Sequence, residues 1–197
     1  MSDNHGQAAV LRRAIAALRD RGADVLVHLG DFGDSLHDDN LATIVEDLKS
    51  NHVLVVKGNN DYILEKRVEP ENQHLSGVYA YLHDLPIRII SADLCFAHSL
   101  PFDSIRSFYE PIDDGSVEKA AVLFRETTYR ILFCGHSHIP VLFRWTPRRT
   151  IREQIRPDQP LRLDRADRYI IVVGALENSE CALYDLDRQV YERLRVG

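Results

Sequence analysis

Five short groups of polar residues carry carboxylate, amide and imidazole side chains that could bind metal ions. In chain order the groups span residues 3–5, 30–34, 58–61, 98 and 135–138. The first three groups recur at intervals of 28 residues (3 to 31, 31 to 59), about the length of one strand-plus-helix step. The carboxyl ends of neighbouring parallel strands meet at one edge of a sheet, so we expect these groups to converge on one crevice.

The side chains in these groups form a mixed oxygen and nitrogen donor set. Two Asp, one Asn and four His are the candidate ligands: Asp3, His5, Asp31, Asn59, His98, His136 and His138. Such a set suits Mn²⁺, Fe, Zn²⁺, Co²⁺ or Ni²⁺ and is too rich in imidazole for Ca²⁺ or Mg²⁺ alone. Seven ligands are too many for one ion but suit two ions that share a carboxylate. Two divalent ions against two carboxylates would leave a positive pocket that attracts phosphate.

Apolar periodicity predicts the elements that must position these groups. Short apolar strands alternate with amphipathic helices in the first half, which is typical of a parallel sheet covered by helices, and the second half is richer in strands. Glycines 30, 58 and 135 are expected where the backbone turns sharply off a strand. Helices are predicted at 8–21, 41–50, 60–84 and 116–127, and strands at 25–29, 53–56, 87–90, 94–97, 131–134 and in several short segments from 141 to 196.

Composition bounds the class of protein. The chain has 197 residues, 45% of them hydrophobic, and a formal net charge of −6, which predicts one globular domain over 1–197 and argues against nucleic-acid binding through bulk positive charge. The longest apolar runs are much shorter than the ~20 residues of a membrane span. The first residues lack the basic and apolar segments of a signal peptide, so we expect a cytoplasmic protein. Cys95, Cys134 and Cys181 are expected to be reduced core thiols.

The five groups in this order resemble the motifs of the calcineurin-like metallophosphoesterases. They read Asp-x-His, Gly-Asp-x-x-Asp, Gly-Asn-x-Asp, a lone His and Gly-His-x-His over residues 2 to about 145. The sequence is most similar to the small single-domain bacterial and archaeal phosphodiesterases of that superfamily. The resemblance implies a four-layer α-β-β-α sandwich of two mixed β-sheets flanked by helices, with the metal site at the strand ends. Periodicity alone does not distinguish this fold from an ordinary doubly wound sheet.

The resemblance also implies a role for each candidate residue. It implies two divalent transition metal ions, with Mn²⁺ favoured and Fe, Zn, Ni or Co as alternatives, and a bridging hydroxide that attacks phosphorus in line. Asp34 and Asp61 are expected to orient the ligands from outside, and the residues expected at the reacting centre are Asp31, Asn59, Asn60 and His98. One ion would be held by Asp3, His5, Asp31 and His138, and the other by Asp31, Asn59, His98 and His136.

Asn60 departs from the protein phosphatases of this superfamily, which have a His directly after the Asn of the third motif. An amide cannot donate a proton as a general acid, so the alkoxide leaving groups of monoesters would have no proton donor at this position. This favours a small phosphodiester or a nucleotide-like compound as the substrate. It argues against a serine/threonine-type protein phosphatase.

The start of the chain is the second departure from the family. In the family that the sequence resembles, the Asp of the first motif ends a central strand. Here only Met1 and Ser2 precede Asp3. Either that strand is missing or truncated, or Met1 is an internal residue of a strand that begins upstream, and we favour the second interpretation. A missing central strand would place Asp3 and His5 on a fraying terminus, so that the first metal would bind weakly.

Other polar and aromatic residues have ordinary structural interpretations. His28 is expected to be a hydrogen-bonded core residue, whereas His37, His52, His74 and His83 are expected at the surface or at caps. The arginine-rich stretch 144–168 is interleaved with acidic residues and is expected to be a solvated face, with a substrate or nucleic-acid contact as the alternative. For Phe102, Phe108 and Tyr109, packing and a substrate pocket are equally weighted interpretations.

Two classes of function remain after these steps. The first is a hydrolase of phosphate esters that binds a small substrate, with no membrane partner, no nucleic-acid partner beyond a nucleotide-like substrate, and homo-oligomer formation left open. The second is a catalytically weak or inactive scaffold of the same fold that binds a protein partner. All seven ligand positions hold competent side chains, which favours the enzyme.

Overall fold

The computed structural model describes residues 1–37, 39–67 and 76–197. The predicted elements recur with small changes at their ends, and the predicted helix 60–84 is two helices, with residues 68–75 outside the described part of the chain. The helices are α1 (Ala8–Asp20), α2 (Leu41–Ser50), α3 (Asn59–Arg67), α4 (Ser76–Asp84), α5 (Arg106–Tyr109) and α6 (Glu118–Glu126), with a 3₁₀ turn at Leu176–Asn178.

The strands in the first half are shorter than predicted, and those in the second half are close to their predicted bounds. Val25 lies outside the first strand and is 65% exposed. The strands are β1 (Val27–His28), β2 (Leu54–Val55), β3 (Arg88–Ser91), β4 (Leu94–Ala97), β5 (Ile131–Cys134), β6 (Val141–Trp145), β7 (Thr150–Gln154), β8 (Leu161–Arg162), β9 (Arg168–Val172), β10 (Glu180–Asp185) and β11 (Val190–Arg195).

The larger sheet has six strands in the order β3-β4-β5-β9-β6-β7. Strands β4, β5 and β9 are parallel to one another, and the other pairings are antiparallel, so the sheet is mixed. All four residues of β5 are buried, because alternate side chains enter the two cores on opposite faces of the sheet. The carboxyl end of this central strand leads directly into Gly135 and His136.

The second sheet is built from smaller pieces around the first residues of the chain. Strands β1 and β2 pair in parallel, and β10, β11 and β8 form an antiparallel group. The segment Met1–Asp3 lies between the two pieces. Leu29 N donates to Met1 O over 2.9 Å on one side, and Leu176 N donates to Ser2 O over 2.8 Å on the other. Residues 1–3 are thus held along both edges as a short strand-like segment, without the fraying that a missing central strand would cause.

The fold has four layers, and an apolar cluster fills each of the three spaces between adjacent layers. Helices α1, α2 and α4 cover the outer face of the second sheet, for example through Leu11, Ile44 and Leu82. Side chains such as Phe133 and Tyr191 fill the space between the two sheets, and α6 packs on the opposite face of the larger sheet. The predicted four-layer α-β-β-α sandwich is confirmed. All three cysteines are buried and unbridged, also as predicted.

The arginine-rich stretch lies on strands β6 to β9, and several of its side chains are tied into the fold. Arg168 donates to the carbonyl oxygens of Phe124, Thr127 and Tyr129 at the end of α6. Arg152 pairs with Asp113 over 2.7 Å. These contacts agree with the structural interpretation of the stretch. The arginines at 148, 149, 156, 162 and 165 are exposed.

Candidate metal centre

All seven candidate ligands lie at ends of strands or strand-like segments on one edge of the sandwich. Asp3 and His5 follow the segment Met1–Asp3, Asp31 follows β1, and Asn59 opens α3 after β2. His98 follows β4, and His136 and His138 follow β5. Residues up to 135 positions apart in the sequence are therefore brought together because parallel strands end at the same edge.

Asn59, His98 and His136, which we call the second ligand group, bring three acceptor atoms together. His98 Nε2 lies 3.0 Å from Asn59 Oδ1 and 3.1 Å from His136 Nδ1, and His136 Nδ1 lies 3.0 Å from Asn59 Oδ1. The other nitrogen of each ring faces a carbonyl oxygen, Leu29 O at 2.8 Å and Tyr109 O at 3.2 Å. Those nitrogens must be the N–H donors, so the nitrogens facing Asn59 carry lone pairs in the neutral rings.

Three lone-pair atoms this close repel one another unless a proton or a cation lies between them. Ligand atoms about 2.1 Å from one ion, at about a right angle to each other, lie about 3 Å apart. The distances in the second ligand group therefore fit a shared divalent cation. When no cation is bound, the Asn59 amide can turn over so that its nitrogen donates to the same two ring nitrogens.

Asp3, His5 and His138, which we call the first ligand group, converge in the same way. Asp3 Oδ1 lies 3.3 Å from His138 Nε2 and 3.9 Å from His5 Nε2, and the two Nε2 atoms are 3.3 Å apart. Asp3 Oδ1 is buried and, apart from this long contact with His138, has no hydrogen-bond partner among the described residues. The three residues can hold a metal ion, since their donor atoms lie within 4.8 Å of one another.

Asp31 lies between the two ligand groups. Its Oδ2 is 3.5 Å from His98 Nε2, and donor atoms of Asp3, Asp31 and His98 also lie within 4.8 Å of one another. Asn60 fixes this carboxylate, since its backbone N and side-chain Nδ2 donate to the two oxygens over 2.8 Å each. The Asn60 amide thus contacts Asp31, and its remaining oxygen accepts from Ser35 N at 3.3 Å.

The two carboxylates expected to orient the ligands have different surroundings. Asp61 is fully buried and accepts hydrogen bonds from the backbone N–H groups of Asp31, Phe32, Gly33 and Gly58 over 2.7 to 3.2 Å. It therefore ties the Asp31 loop to the start of α3. Asp34 accepts from Leu36 N and pairs with His37, both on its own loop, so these hydrogen bonds do not reach a ligand.

Five of the seven candidate ligands have left-handed backbone conformations. The φ angles are 57° for Asp3, 41° for His5, 56° for Asp31, 68° for His136 and 59° for His138. Residues other than glycine rarely adopt positive φ, and each instance costs of order 1–3 kcal/mol unless the surroundings enforce it. The packed sandwich enforces these turns, and they direct the side chains of consecutive motif residues into one crevice.

All three motif glycines are required for space. A Cβ atom at Gly58 would collide with the Asp31 carboxylate, and one at Gly135 would collide with the side chains of Ser2 and Asp3. A Cβ atom at Gly30 would collide with the backbone of Gly58 and the ring of His98. Of the three motif glycines, Gly30 alone has a positive φ, of 91°. Gly58 and Gly135 lie where the chain leaves β2 and β5, and the neighbouring carboxylates of Asp31 and Asp3 approach their backbones too closely for a side chain.

The clustered charges shift several pKa values. Burial acts to raise the pKa of Asp3, but hydrogen bonds from His138 and Ser2 and the charges of His98 and His138 lower it to about 2. The hydrogen bond to Asp3, together with the charges of Asp3 and Glu177, raises the pKa of His138 to about 9 against the effect of burial. Burial and the charge of Asp31 raise the pKa of Asp61 to about 7 although two backbone N–H donors act to lower it.

An aromatic side chain lies at the exposed margin of the centre. Tyr109 is 46% exposed, and its carbonyl oxygen accepts the hydrogen bond from His136. The charge of Asp31 adds to partial burial in raising the pKa of the Tyr109 phenol. Phe108 stacks on Tyr62 with ring centroids 5.0 Å apart, and Phe102 packs against the core. Packing is therefore the role of Phe102 and Phe108, and Tyr109 is the member of the three with a free face.

The remaining histidines lie where the sequence placed them, except one that is not described. His28 is buried, and its Nε2 lies 2.9 Å from Asn4 Oδ1. His37 and His83 pair with acidic side chains, and His52 is exposed after α2. His74 lies outside the described residues.

Several partners of the candidate ligands were not predicted from the sequence. Glu177 accepts from His138 Nδ1 over 2.6 Å, Ser2 donates to Asp3, and the backbone of Tyr109 holds His136. Glu177 lies 39 residues after its partner, and neither Ser2 nor a carbonyl oxygen carries a motif. The apolar segment 168–173 followed by Gly174 is the one sequence signal that could have indicated another strand end at this edge.

The calcineurin-like phosphoesterase superfamily domain matches residues 1–153 of the chain. Among solved structures, a metallophosphoesterase from Sphaerobacter thermophilus is 22% identical with a TM-score of 0.77, over 100% of this chain and 86% of that one. A novel archaeal phosphodiesterase is 13% identical with a TM-score of 0.54, over 99% and 96%. A Thermus thermophilus protein is 11% identical with a TM-score of 0.58, over 100% and 97%. At these identities the likeness is one of fold.

No curated protein matches the sequence significantly. Among the described residues, none of the helices has the length and apolar character needed to cross a membrane.

The raised pKa of His138 makes metal binding dependent on pH. In the apoprotein the ring keeps its proton up to about pH 9, and a metal must displace that proton because only the neutral imidazole is a ligand. The ion pair therefore stabilises the apoprotein fully below about pH 6.5 and is lost as the pH rises through about 9. We expect metal affinity to fall as the pH is lowered below 9, with release of about one proton per first-site ion near neutral pH.

Calorimetric titration with Mn²⁺ in two buffers of different ionisation enthalpy measures that proton release. His138→Gln should lower the number of protons released, and His52→Gln, at an exposed position after α2, should match the unchanged protein. Equal heats in the two buffers for the unchanged protein would contradict the expectation.

Proposed function

Because this chain belongs to the calcineurin-like phosphoesterase superfamily and is a phosphate-ester hydrolase, we propose that it is a two-metal phosphodiesterase acting on a small or nucleotide-like diester. Its active site is the strand-end crevice formed by the two ligand groups and Asp31. The convergence of lone-pair atoms at about 3 Å in the second ligand group is the single observation that carries the proposal.

Each ion is assigned to one ligand group, with Asp31 shared. Asp3 Oδ1, His5 Nε2 and His138 Nε2 would hold the first ion, and Asn59 Oδ1, His98 Nε2 and His136 Nδ1 would hold the second. His136 would bind through Nδ1 because its Nε2 is engaged with Tyr109 O. The donor set of imidazole, carboxylate and amide suits Mn²⁺, Fe, Zn²⁺, Co²⁺ or Ni²⁺, and we propose Mn²⁺ as the first ion to test.

Two divalent ions bound there would supply a hydroxide nucleophile at neutral pH and positive charge for the phosphoryl group. The chain's own residues fix the geometry that this chemistry requires. Asn60 holds both oxygens of Asp31. Asp61 holds the Asp31 loop through three backbone N–H groups and accepts a fourth hydrogen bond from Gly58 N. These contacts keep the shared carboxylate oriented between the two ligand groups.

The position of Asn60 supports diesters over monoesters. Its amide has no proton to give a departing alkoxide, and its hydrogen bonds are directed to Asp31 and Ser35. A monoester with a poor leaving group therefore finds no acid at this position. A diester, or an ester with an acidic leaving group, depends less on protonation of the departing oxygen.

Tyr109 supports a substrate with an aromatic group. The carbonyl oxygen of Tyr109 accepts the hydrogen bond from His136 of the second ligand group, and the half-exposed ring of Tyr109 lies beside that group. The rings of Tyr62 and Phe108 stack on each other, and Phe108 contacts the Tyr109 ring edge to face. A flat ring such as a nucleobase could stack on Tyr109 while its phosphate lies in the crevice.

Hydrolysis of a chromogenic diester and its matching monoester, both with a nitrophenyl leaving group, tests the proposed activity. Metal-stripped protein titrated with Mn²⁺, Ni²⁺, Zn²⁺ or Mg²⁺ should regain activity toward the diester. Asp31→Asn weakens the shared ligand and should lower kcat/KM at least about 100-fold, whereas Asp20→Asn, an exposed carboxylate on α1, should have no effect. Metal-independent turnover, or full activity in Asp31→Asn, would refute the mechanism.

Removing the Tyr109 ring should weaken binding of aromatic substrates. An aromatic pair is worth about 0.5–1.5 kcal/mol, so Tyr109→Ala should raise KM for an aryl diester about 2- to 12-fold while kcat changes little. Tyr109→Phe should keep the stacking, and KM for a dialkyl analogue should be the same in all three proteins. A KM for the aryl diester unaffected by Tyr109→Ala would show that the substrate does not use this ring.

A further inference from the structure

The 3₁₀ turn Leu176–Asn178 lies directly beside the first residues of the chain. Leu176 N donates to Ser2 O over 2.8 Å, and Glu177 N donates to Asp3 O over 3.1 Å. On the opposite side Asp3 N donates to Gly30 O over 3.1 Å. The backbone of Asp3, whose φ of 57° is left-handed, is therefore fixed from both sides, and the turn supplies one of those sides.

The side chain of Glu177 contacts a second member of the first ligand group. Its Oε1 lies 2.6 Å from His138 Nδ1, a short distance typical of a charge-assisted hydrogen bond. Since the carboxylate accepts, His138 Nδ1 is the donor, and the Nε2 lone pair of the neutral ring faces Asp3 Oδ1 at 3.3 Å. A carboxylate behind a ligating imidazole fixes the tautomer and the ring orientation and makes the ligand more basic.

We propose that Glu177 is a positioning residue for the first metal ion, acting on Asp3 through its backbone and on His138 through its carboxylate. The inference rests on the proposed function, because it assigns a task within the same two-metal site. Glu177 lies beyond residues 1–153, the part of the chain matched by the family. The first ion would therefore depend on the carboxyl-terminal part of the fold, outside the five motifs.

The turn itself does not depend on the Glu177 side chain. Ser179 N donates to Leu176 O over 2.7 Å and Glu180 N to Ala175 O over 3.1 Å, and Leu176 is fully buried. The Glu177 side chain is 31% exposed. Replacing it should therefore leave the turn and its hydrogen bonds to Ser2 and Asp3 in place, so that a change in metal binding reports on the contact with His138.

The experiment measures the affinity of each metal site separately. Asn59→Leu removes a ligand of the second site and leaves the first to be titrated, and His5→Ala does the reverse. In the Asn59→Leu protein, Glu177→Leu should weaken Mn²⁺ binding about 10- to 100-fold, and Glu177→Gln, whose amide oxygen can still accept from His138, should weaken it less. In the His5→Ala protein, Glu177→Leu should change affinity less than about 2-fold, since losing an outer partner of one ligand acts on that ligand's own ion.

Asn178→Ala, at an exposed position on the same turn, is the matched control and should bind both ions as the unchanged protein does. A proton spectrum of the apoprotein adds an independent readout. The Nδ1 proton of His138 should be shifted downfield in the unchanged protein and in Glu177→Gln, and lost by exchange in Glu177→Leu.

The outcomes separate the two claims. Unchanged first-site affinity in Glu177→Leu, or equal weakening of both sites, would overturn the positioning role while two-metal binding by the unchanged protein still stood. Failure of the unchanged protein to bind two ions would overturn the proposed function and this inference together. Selective weakening with partial recovery in Glu177→Gln is the expected result.

Discussion

The site depends on bringing lone-pair atoms together that repel one another unless a proton or a cation lies between them. Asn59 Oδ1, His98 Nε2 and His136 Nδ1 face one another at 3.0 to 3.1 Å, and the ring protons point outward to backbone carbonyl oxygens. The first ligand group repeats the arrangement with a buried carboxylate oxygen. In a protein interior such atoms are costly without a partner, so their convergence indicates a site built for positive charge.

The packing of the fold enforces the strained backbone conformations that this arrangement requires. Five ligands adopt left-handed backbone conformations, and such turns persist only where packing and hydrogen bonds enforce them. Strand β5, buried on both faces, fixes the origin of the loop with His136 and His138. Asp61 ties the loops of Asp31 and Asn59 together through four N–H groups. The sandwich thus supplies rigid strand ends, and the loops hold strained ligands against them.

The amino-acid sequence predicted the elements that have clear periodicity, and the spacing of its motifs identified the candidate ligands that the fold brings together. Helix 41–50 and strand 131–134 have their predicted bounds, because amphipathic repetition and a continuous apolar run reflect local burial directly. The seven ligands are adjacent because strand ends share one edge. The second sheet was harder to predict, since β1 and β2 are short and the segment Met1–Asp3 is held by partners 28 (1 to 29) and 174 (2 to 176) residues away.

Contacts between distant residues escaped the sequence analysis for the same reason. Glu177 contacts His138, and Asn60 contacts Asp31, through hydrogen bonds whose partners no local pattern identifies. Gly58 and Gly135 were recognised as important, but the physical reason is the approach of Asp31 and Asp3 to their backbones. The sequence did not distinguish Arg168 from the other arginines of the stretch 144–168. Its partners, carbonyl oxygens at the end of α6, are determined by how that helix packs in the fold.

Anomalous diffraction at the manganese edge, from crystals grown with Mn²⁺, tests the two-metal assignment. We expect two peaks, one surrounded by Asp3, His5 and His138 and the other by Asn59, His98 and His136, with Asp31 in contact with both ions. A single peak, or none at saturating Mn²⁺, would contradict the two-metal site.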